Sequence, residues 1–310
     1  MEIRIGSDFD GASVKDWLYQ NGISRGLITQ LKKLPDGITV NGEHATVRRI
    51  LLAGDVLALA LDDRAEDVNM QLVPTEMPLD IIYEDDDMIA LNKPYGMPTH
   101  PSHGHFCDTL ANGVCYYFFS RGIPFVFRAI NRLDRDTGGI VLMAKNRASA
   151  ARLTELMQAG RIKKTYIAVL NGRLMPPDGS IDASVRRKAD SIMLREVCAP
   201  DASGARHALT VYETVVSSAD VTVVRASPIT GRTHQLRVHF ASRGCPIVGD
   251  GLYGTAETAP TVWDAMMTRQ ALHAASLVIE ADSGTITLNA DPADDMCRLI
   301  ERIKGADTDL

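Results

Sequence analysis

At 310 residues the chain is long enough to bury a sizeable core and to divide into two domains. A hydrophobic content of 45% with a mean hydropathy of -0.05 indicates a soluble globular protein, and no apolar run is long enough to span a bilayer. Met1-Glu2-Ile3-Arg4 lacks the apolar core of a signal peptide, so a cytoplasmic protein without membrane contact is expected. Cys107, Cys115, Cys198, Cys245 and Cys297 are scattered, odd in number and without CxxC spacing. That pattern fits reduced thiols and excludes a cysteine-based zinc site. The net charge of -6 argues against nucleic acid only as an average, because binding depends on where the charges lie. Between Arg121 and Arg173 there are eleven bases against three acids, while acid gathers at Asp62-Asp63 and at Glu84 to Asp87. Without a motif, such blocks are ordinary solvated faces.

Residues 11 to 63 read as one compact unit. Ser13 is placed to cap a helix through Gln20, with Val14, Trp17 and Leu18 on one stripe. Gly22 should end it, and Ser24 should cap a second helix through about Lys33 with Leu27, Ile28 and Leu31 inward. Pro35-Asp36-Gly37 is a turn, Ile38 to Val40 a strand, Asn41-Gly42 a hairpin signal, and Val56 to Leu61 a closing apolar run. The stretch from Asp62 to Pro78 is polar and then proline-marked, as a linker would be.

From Leu79 the pattern is strand, acidic turn and strand, with Asp80 to Glu84 and Met88 to Asn92 as the two strands. Lys93 to Pro101 is too rich in proline and glycine for regular structure. Two further strand-length runs, Phe125 to Ile130 and Ile140 to Ala144, bracket the polar stretch from Asn131 to Gly139. Such a loop must satisfy its own backbone groups and is a common carrier of chemistry. In an extended segment Arg132 and Asp134 share a face, with Leu133 opposite. Taken alone, Asp134 in a glycine-containing turn is an ordinary turn-former.

Asn146 then caps a helix with Ala150, Leu153, Leu156 and Met157 on one face, and Gly160 follows it. Lys163 to Leu170 reads as a strand with Tyr166, Ala168 and Leu170 on one side. Residues 173 to 204 show weak periodicity. Strands follow around Ala208 to Val215 and Val221 to Ala226, then a helix opening at Thr230 or Thr233 and ending near Gly244. It places His234, Arg237 and Ala241 on one face. Strands over 276 to 281 and 284 to 289 and a short helix after Pro292 complete the chain, which has no internal repeat.

Several motifs stand in a fixed order: Asn92-Lys93-Pro94-x-Gly96 with His100-Pro101; Arg132-Leu133-Asp134-x-x-Thr137-x-Gly139; Lys164-x-Tyr166-x-Ala168; Thr230 to Arg237; Gly249-Asp250-x-Leu252-Tyr253-Gly254; and Leu272-His273-Ala274. In this order they resemble the RluA-type pseudouridine synthases, including the RluC/RluD-like members that carry an N-terminal S4-type RNA-binding domain. That family usually has His before Arg-Leu-Asp and Ser before the final Gly, where this chain has Asn131 and Gly138.

The resemblance implies an α+β fold: a mixed β-sheet core flanked by helices with a central cleft, preceded by a small S4-like α/β domain. It implies an S4-like domain over 1–65, a linker over 66–78, a catalytic domain over 79–305 and a tail over 306–310. It implies an isomerase that converts uridine in RNA, ribosomal first and transfer RNA second, to pseudouridine. Asp134 matches the essential carboxylate, Arg237 the arginine that pairs with it, and Tyr166 the tyrosine against the target base. Arg132 matches the arginine that fills the vacated space or holds the phosphate, Leu272 lines the base pocket, and Arg25, Lys32 and Lys33 match bases facing RNA phosphates. No cofactor or metal is implied, and the partner is RNA, bound by a monomer. His100, His234 and His273 lack metal-ligand spacing and read as structural or RNA-contacting. The competing classes are a non-catalytic RNA-binding or ribosome-assembly protein and, more distantly, a hydrolase needing Asp136 as a second carboxylate.

Overall fold

The Ser13 cap forms as the sequence dictates. In the computed structural model, which describes residues 1–21, 23, 25–61, 72–254 and 261–307, the Asp16 N–H donates to the Ser13 hydroxyl at 3.1 Å and the Asp16 carboxylate accepts from the Ser13 N–H at 3.3 Å. This reciprocal pair satisfies two otherwise orphaned donors at the start of α1 (Val14–Gln20). Helix α2 (Arg25–Leu31) buries Leu27, Ile28 and Leu31. It stops short of Lys33, whose N–H instead bonds the Gln30 carbonyl in a tighter turn. Gly22 and Ser24, expected to end α1 and to cap α2, lie outside the described residues.

Strands β1 (Glu2–Arg4), β2 (Ile38–Val40), β3 (Glu43–His44) and β4 (Val56–Leu59) form a sheet in the order β1-β4-β2-β3. β1 was not apparent from the sequence, being three residues with no alternation. Asn41 and Gly42 both have positive φ, 52° and 82°, as a two-residue hairpin turn requires. This unit has its own apolar centre, including Trp17, Leu18, Leu31 and Leu57.

Residues 62–71 of the expected linker lie outside the described residues. The part from Leu72 to Pro78 lies along α3 (Leu110–Phe119), where the Asn112 amide donates to the Val73 carbonyl at 2.7 Å. That helix escaped the sequence pattern. Seven of its ten residues are buried, so it has no polar face to generate a stripe.

The second sheet has nine strands: β5 (Ile81–Glu84), β6 (Met88–Lys93), β7 (Gly138–Ala144), β8 (Ile162–Asn171), β9 (Asp178–Asp182), β12 (Leu209–Ser217), β13 (Val221–Pro228), β14 (Leu272–Ala281) and β15 (Gly284–Asn289). A separate hairpin joins β10 (Ser184–Arg187) to β11 (Arg195–Cys198). The large sheet runs β5-β6-β7-β14-β8-β13-β12-β9, with β15 beside β14. Among its described pairings only β7 with β14 is parallel, and it lasts two residues, His273 opposite Gly138 and Ala274 opposite Gly139. A Cβ on Gly139 would lie 2.3 Å from the Ala274 carbonyl oxygen, so only glycine lets these strands meet.

Beyond that contact β7 has a free edge, and residues 128–130 occupy it. The run Phe125 to Ile130 is therefore not the regular strand its composition suggests. Ala129 bridges Met143, the Ile130 N–H bonds the Leu142 carbonyl at 2.8 Å, and the rest is irregular. The Asn131 side chain continues the ladder. Its Nδ2 donates to the Ile140 carbonyl (2.9 Å) and its Oδ1 accepts from the Leu142 N–H (2.8 Å). Asn131 thus hands the chain from the sheet to the loop that follows.

Helix α4 (Arg147–Gln158) starts at the Asn146 cap as expected, and its Ala148 and Ala151 pack on the N-terminal unit. Helix α5 (Gln235–Ser242) begins later than Thr230 or Thr233, because His234 has a φ of 58° and ends the preceding loop. The Gln235 side chain fastens that loop instead, accepting from Thr230 Oγ1 and the Arg232 N–H and donating to the Leu209 carbonyl. Helix α6 (Asp294–Asp307) enters the stretch expected as a tail from 306.

Candidate active site

The loop 131–137 is held at four points. Asn131 ties its first residue to β7. Thr99 brackets Leu133, its hydroxyl donating to the Leu133 carbonyl (3.0 Å) and accepting from the Leu133 N–H (3.3 Å). Lys93, fully buried, donates to the carbonyls of Pro94 (2.8 Å), Met97 (2.7 Å) and Arg135 (3.0 Å). Gln270 donates to the Thr137 hydroxyl at 3.2 Å. Burial pulls the Lys93 ammonium down to about 7, against the attraction of Asp136 and Asp134. Its three carbonyl acceptors match the three donors of the charged form.

Asp134 projects from this loop toward α5. Arg237 Nη1 stands 3.3 Å from Asp134 Oδ2, which is the pairing the motifs imply. The stronger attachment of Arg237 lies elsewhere. Its Nε and Nη2 each reach the Asp250 carboxylate at 2.7 Å, with 5% and 0% of the two side chains exposed. Burial opposes the Arg237 charge, and the two carboxylates outweigh it and raise its pKa. The guanidinium is thus fixed by Asp250 and offers one remaining edge to Asp134.

His234 was read as structural or RNA-contacting, yet its Nε2 lies 3.8 Å from Asp134 Oδ2. Its Nδ1 is 2.8 Å from the Tyr253 hydroxyl, which also accepts from the Arg195 N–H at 2.8 Å. Burial lowers the His234 pKa despite the Asp134 charge. With neutral His234 accepting the Tyr253 proton at Nδ1, its own proton sits on Nε2, toward Asp134. Asp250, Tyr253 and His234 all belong to motifs visible in the sequence. Only the fold brings the turn at 249–254 against α5.

Asp134, His234 and Arg237 border a cleft of about 550 Å³ that is also lined by Arg132, Tyr166, Leu272, Lys164 and Arg232. The strand order makes this gathering necessary. On β8 Tyr166 pairs with Ala274 and Ala168 with Leu272, while His273 meets Gly138 at the end of the Asp134 loop. Tyr166 and Leu272 are 8% and 4% exposed and supply an apolar wall. Burial, with the Asp134 charge adding, pushes the Tyr166 phenol well above its usual pKa, and its hydroxyl has no hydrogen-bond partner among the described residues. Arg132 is exposed at the rim without an ion-pair partner among the described residues.

Arg25, Lys32 and Lys33 do not line this cleft; they are exposed on and just after α2 in the N-terminal unit. No group of His, Cys, Asp and Glu among the described residues is arranged to hold a metal ion, and no described helix is long and apolar enough to cross a membrane.

A basic cleft with one carboxylate at its centre, set in a split mixed sheet, defines a class that comparison makes explicit. Residues 87–242 match the family model for RNA pseudouridylate synthase. The chain belongs to this RluA-type family of RNA pseudouridine synthases and is therefore an isomerase of the RNA-modifying kind. It is 34% identical over 291 residues to the uncharacterized RNA pseudouridine synthase YjbO of Bacillus subtilis, covering 93% of this chain and 98% of that one. It is 33% identical over 313 residues to the ribosomal large subunit pseudouridine synthase D of Yersinia pestis, covering 97% and 89%. Human RNA pseudouridylate synthase domain containing 4 superposes with a TM-score of 0.59 at 25% identity, over 73% of this chain and 93% of that one.

Proposed function

We propose that the chain isomerises specific uridines of large-subunit ribosomal RNA, with Asp134 as the reacting carboxylate. The observation that carries this reading is the placement of Asp134 in the cleft beside one buried guanidinium and facing the wall made by Tyr166 and Leu272. The relative named for the ribosomal large subunit matches along nearly the whole chain, which supports that RNA as the substrate.

Isomerisation breaks the bond between N1 and C1′, turns the uracil, and forms a bond between C5 and C1′. The C5 proton leaves and N1 gains one, so there is no net redox change. The step needs an ionised carboxylate at the sugar-base junction, and a desolvated carboxyl without a cation would take up a proton. Arg237, fixed by Asp250, meets that requirement. A cleft of about 550 Å³ is of the size that encloses one small ligand, and a uridine must leave its stack to enter. Tyr166 then lies against the base as a neutral phenol, a hydrogen-bond donor rather than a base. Arg132 at the rim fills the vacated position or holds the adjoining phosphate. Residues 1–65 serve as an S4-like grip on RNA through Arg25, Lys32 and Lys33, ahead of a catalytic domain over 79–305, in a cytoplasmic monomer.

The test is release of tritium from ribosomal RNA transcripts made with [5-³H]uridine, with transfer RNA transcripts as a second arm. Release from the large-subunit transcript is expected. Binding of both RNAs without release from either would replace this reading by that of a non-catalytic RNA-binding protein.

A further inference from the structure

Beside the first cleft lies a depression of about 360 Å³, and Gly231, Arg232 and Thr233 line both. Its wall is dominated by Arg186 and Arg187 on β10, Arg195 on β11, Arg206 and Arg232, and no acidic residue among those described lines it. Among the described residues only Arg186 of these has a carboxylate partner, Glu196 at 2.7 Å. Arg195 turns Nη1 to the carbonyls of Met193 and Leu194 (3.1 and 3.0 Å), and Arg232 donates to the His207 carbonyl at 2.9 Å. These contacts orient the guanidiniums without neutralising them. Arg187 and Arg206 are exposed and have no ion pair among the described residues. Like charges gathered around one concavity repel each other and focus a positive potential. The arginine fork matches the oxygens of a phosphate.

Resting on the proposed function, we infer that this depression binds backbone phosphates of the RNA strand adjoining the nucleotide held in the first cleft. Two further observations favour a polymer over a free anion. The shared wall at 231–233 makes the two concavities one track, and a Cβ on Gly231 would stand 3.8 Å from Lys164 Nζ, a cation of the first cleft. The hairpin is also tied to the reaction centre, because the Arg195 N–H donates to the Tyr253 hydroxyl that contacts His234. A chain carrying one negative charge per nucleotide engages both places at once. The depression thus sets where the flanking backbone lies when the uridine is at Asp134.

The experiment uses the full chain with Arg187→Gln/Arg206→Gln, and Arg187→Lys/Arg206→Lys as its counterpart. A large-subunit ribosomal RNA transcript is titrated at several salt concentrations. Each phosphate contact on a single strand contributes about 0.7 to the slope of log affinity against log salt. The glutamine pair should therefore flatten the slope by about 1.4 and weaken low-salt binding roughly tenfold, with kcat/KM falling in step. The lysine pair should restore the slope, since charge rather than fork geometry sets it. An unchanged slope in the glutamine pair, with wild-type protein still releasing tritium, overturns the inference and leaves the function intact. A flattened slope in the glutamine pair, with wild-type protein releasing no tritium, upholds RNA binding by the depression and removes the activity. Wild-type protein that binds no RNA overturns both.

Discussion

Arg237 and the bases on and just after α2 represent opposite uses of positive charge. Arg237 is 5% exposed, held by Asp250 through two bonds of 2.7 Å and aimed at Asp134. Arg25, Lys32 and Lys33 are exposed. Placing a charge in a dry site costs several kcal/mol unless geometry returns it, so the first arrangement makes sense only where position matters within fractions of an ångström. The second costs little, acts over about 10 Å and is screened by salt. The same contrast sets expectations for substitution: buried partners should affect folding and turnover together, exposed bases only the grip on RNA.

The largest structural effect is expected from Asp250→Asn. It leaves Arg237 buried with half its counter-charge gone, a change of about 3–5 kcal/mol. It also frees the guanidinium to swing toward Asp134. Urea denaturation should show the loss, and a change below about 1 kcal/mol would mean that the pair behaves as a surface bridge.

A pH effect of similar size follows from His273. It is 3% exposed, and burial lowers its pKa to about 4, with Nε2 bonding the Ala290 carbonyl at 3.0 Å. Above about pH 6.5 the residue is neutral folded and unfolded, and contributes no difference. Between 6.5 and 4 the unfolded chain takes up the proton first, so stability falls with pH by up to about 1.4 kcal/mol per unit, roughly 3 kcal/mol in all. His273→Gln keeps a donor for Ala290, and its stability profile should lack this component. Parallel profiles for the two proteins over that range would contradict the assignment.

Asn131→Ala should be milder. It removes two bonds that splice the Asp134 loop onto β7, leaving one carbonyl and one N–H to find water at a cost of about 1–3 kcal/mol. Amide exchange at Leu142 should quicken, and unchanged protection would show that the splice is dispensable.

The smallest effect on turnover is expected from Arg25→Gln/Lys32→Gln/Lys33→Gln. Three lost phosphate contacts flatten the salt dependence of binding by about 2 while the rate at saturating RNA holds. A lower saturated rate would place the N-terminal unit in the chemistry.

What was legible in the sequence follows the range of the forces involved. The caps at Ser13 and Asn146, the turn at Asn41-Gly42 and the stripes of α1, α2 and α4 are local and could be read directly. Asp134, Tyr166, Leu272 and Arg237 were recognisable because they stand in ordered motifs, and the strand order explains why they meet. Helix α3 was hidden by burial on every side, and β9 to β11 by their shortness. The bidentate role of Asp250 was hidden because thirteen residues and a turn separate it from Arg237. His234 was passed over for want of metal spacing, though its neighbour Tyr253, which orients the ring, has no signature in the sequence apart from its motif. The start of α5 was misplaced because a left-handed His234 cannot be inferred from residue type.

The central claim is that Asp134 performs the isomerisation, and it is tested most directly by mapping pseudouridine on ribosomal and transfer RNA from cells carrying wild-type protein or Asp134→Asn. The account predicts that at least one site in large-subunit ribosomal RNA disappears in the variant, while the purified protein keeps its RNA affinity within a few-fold. Every site persisting, together with undiminished tritium release by the purified variant, would contradict it.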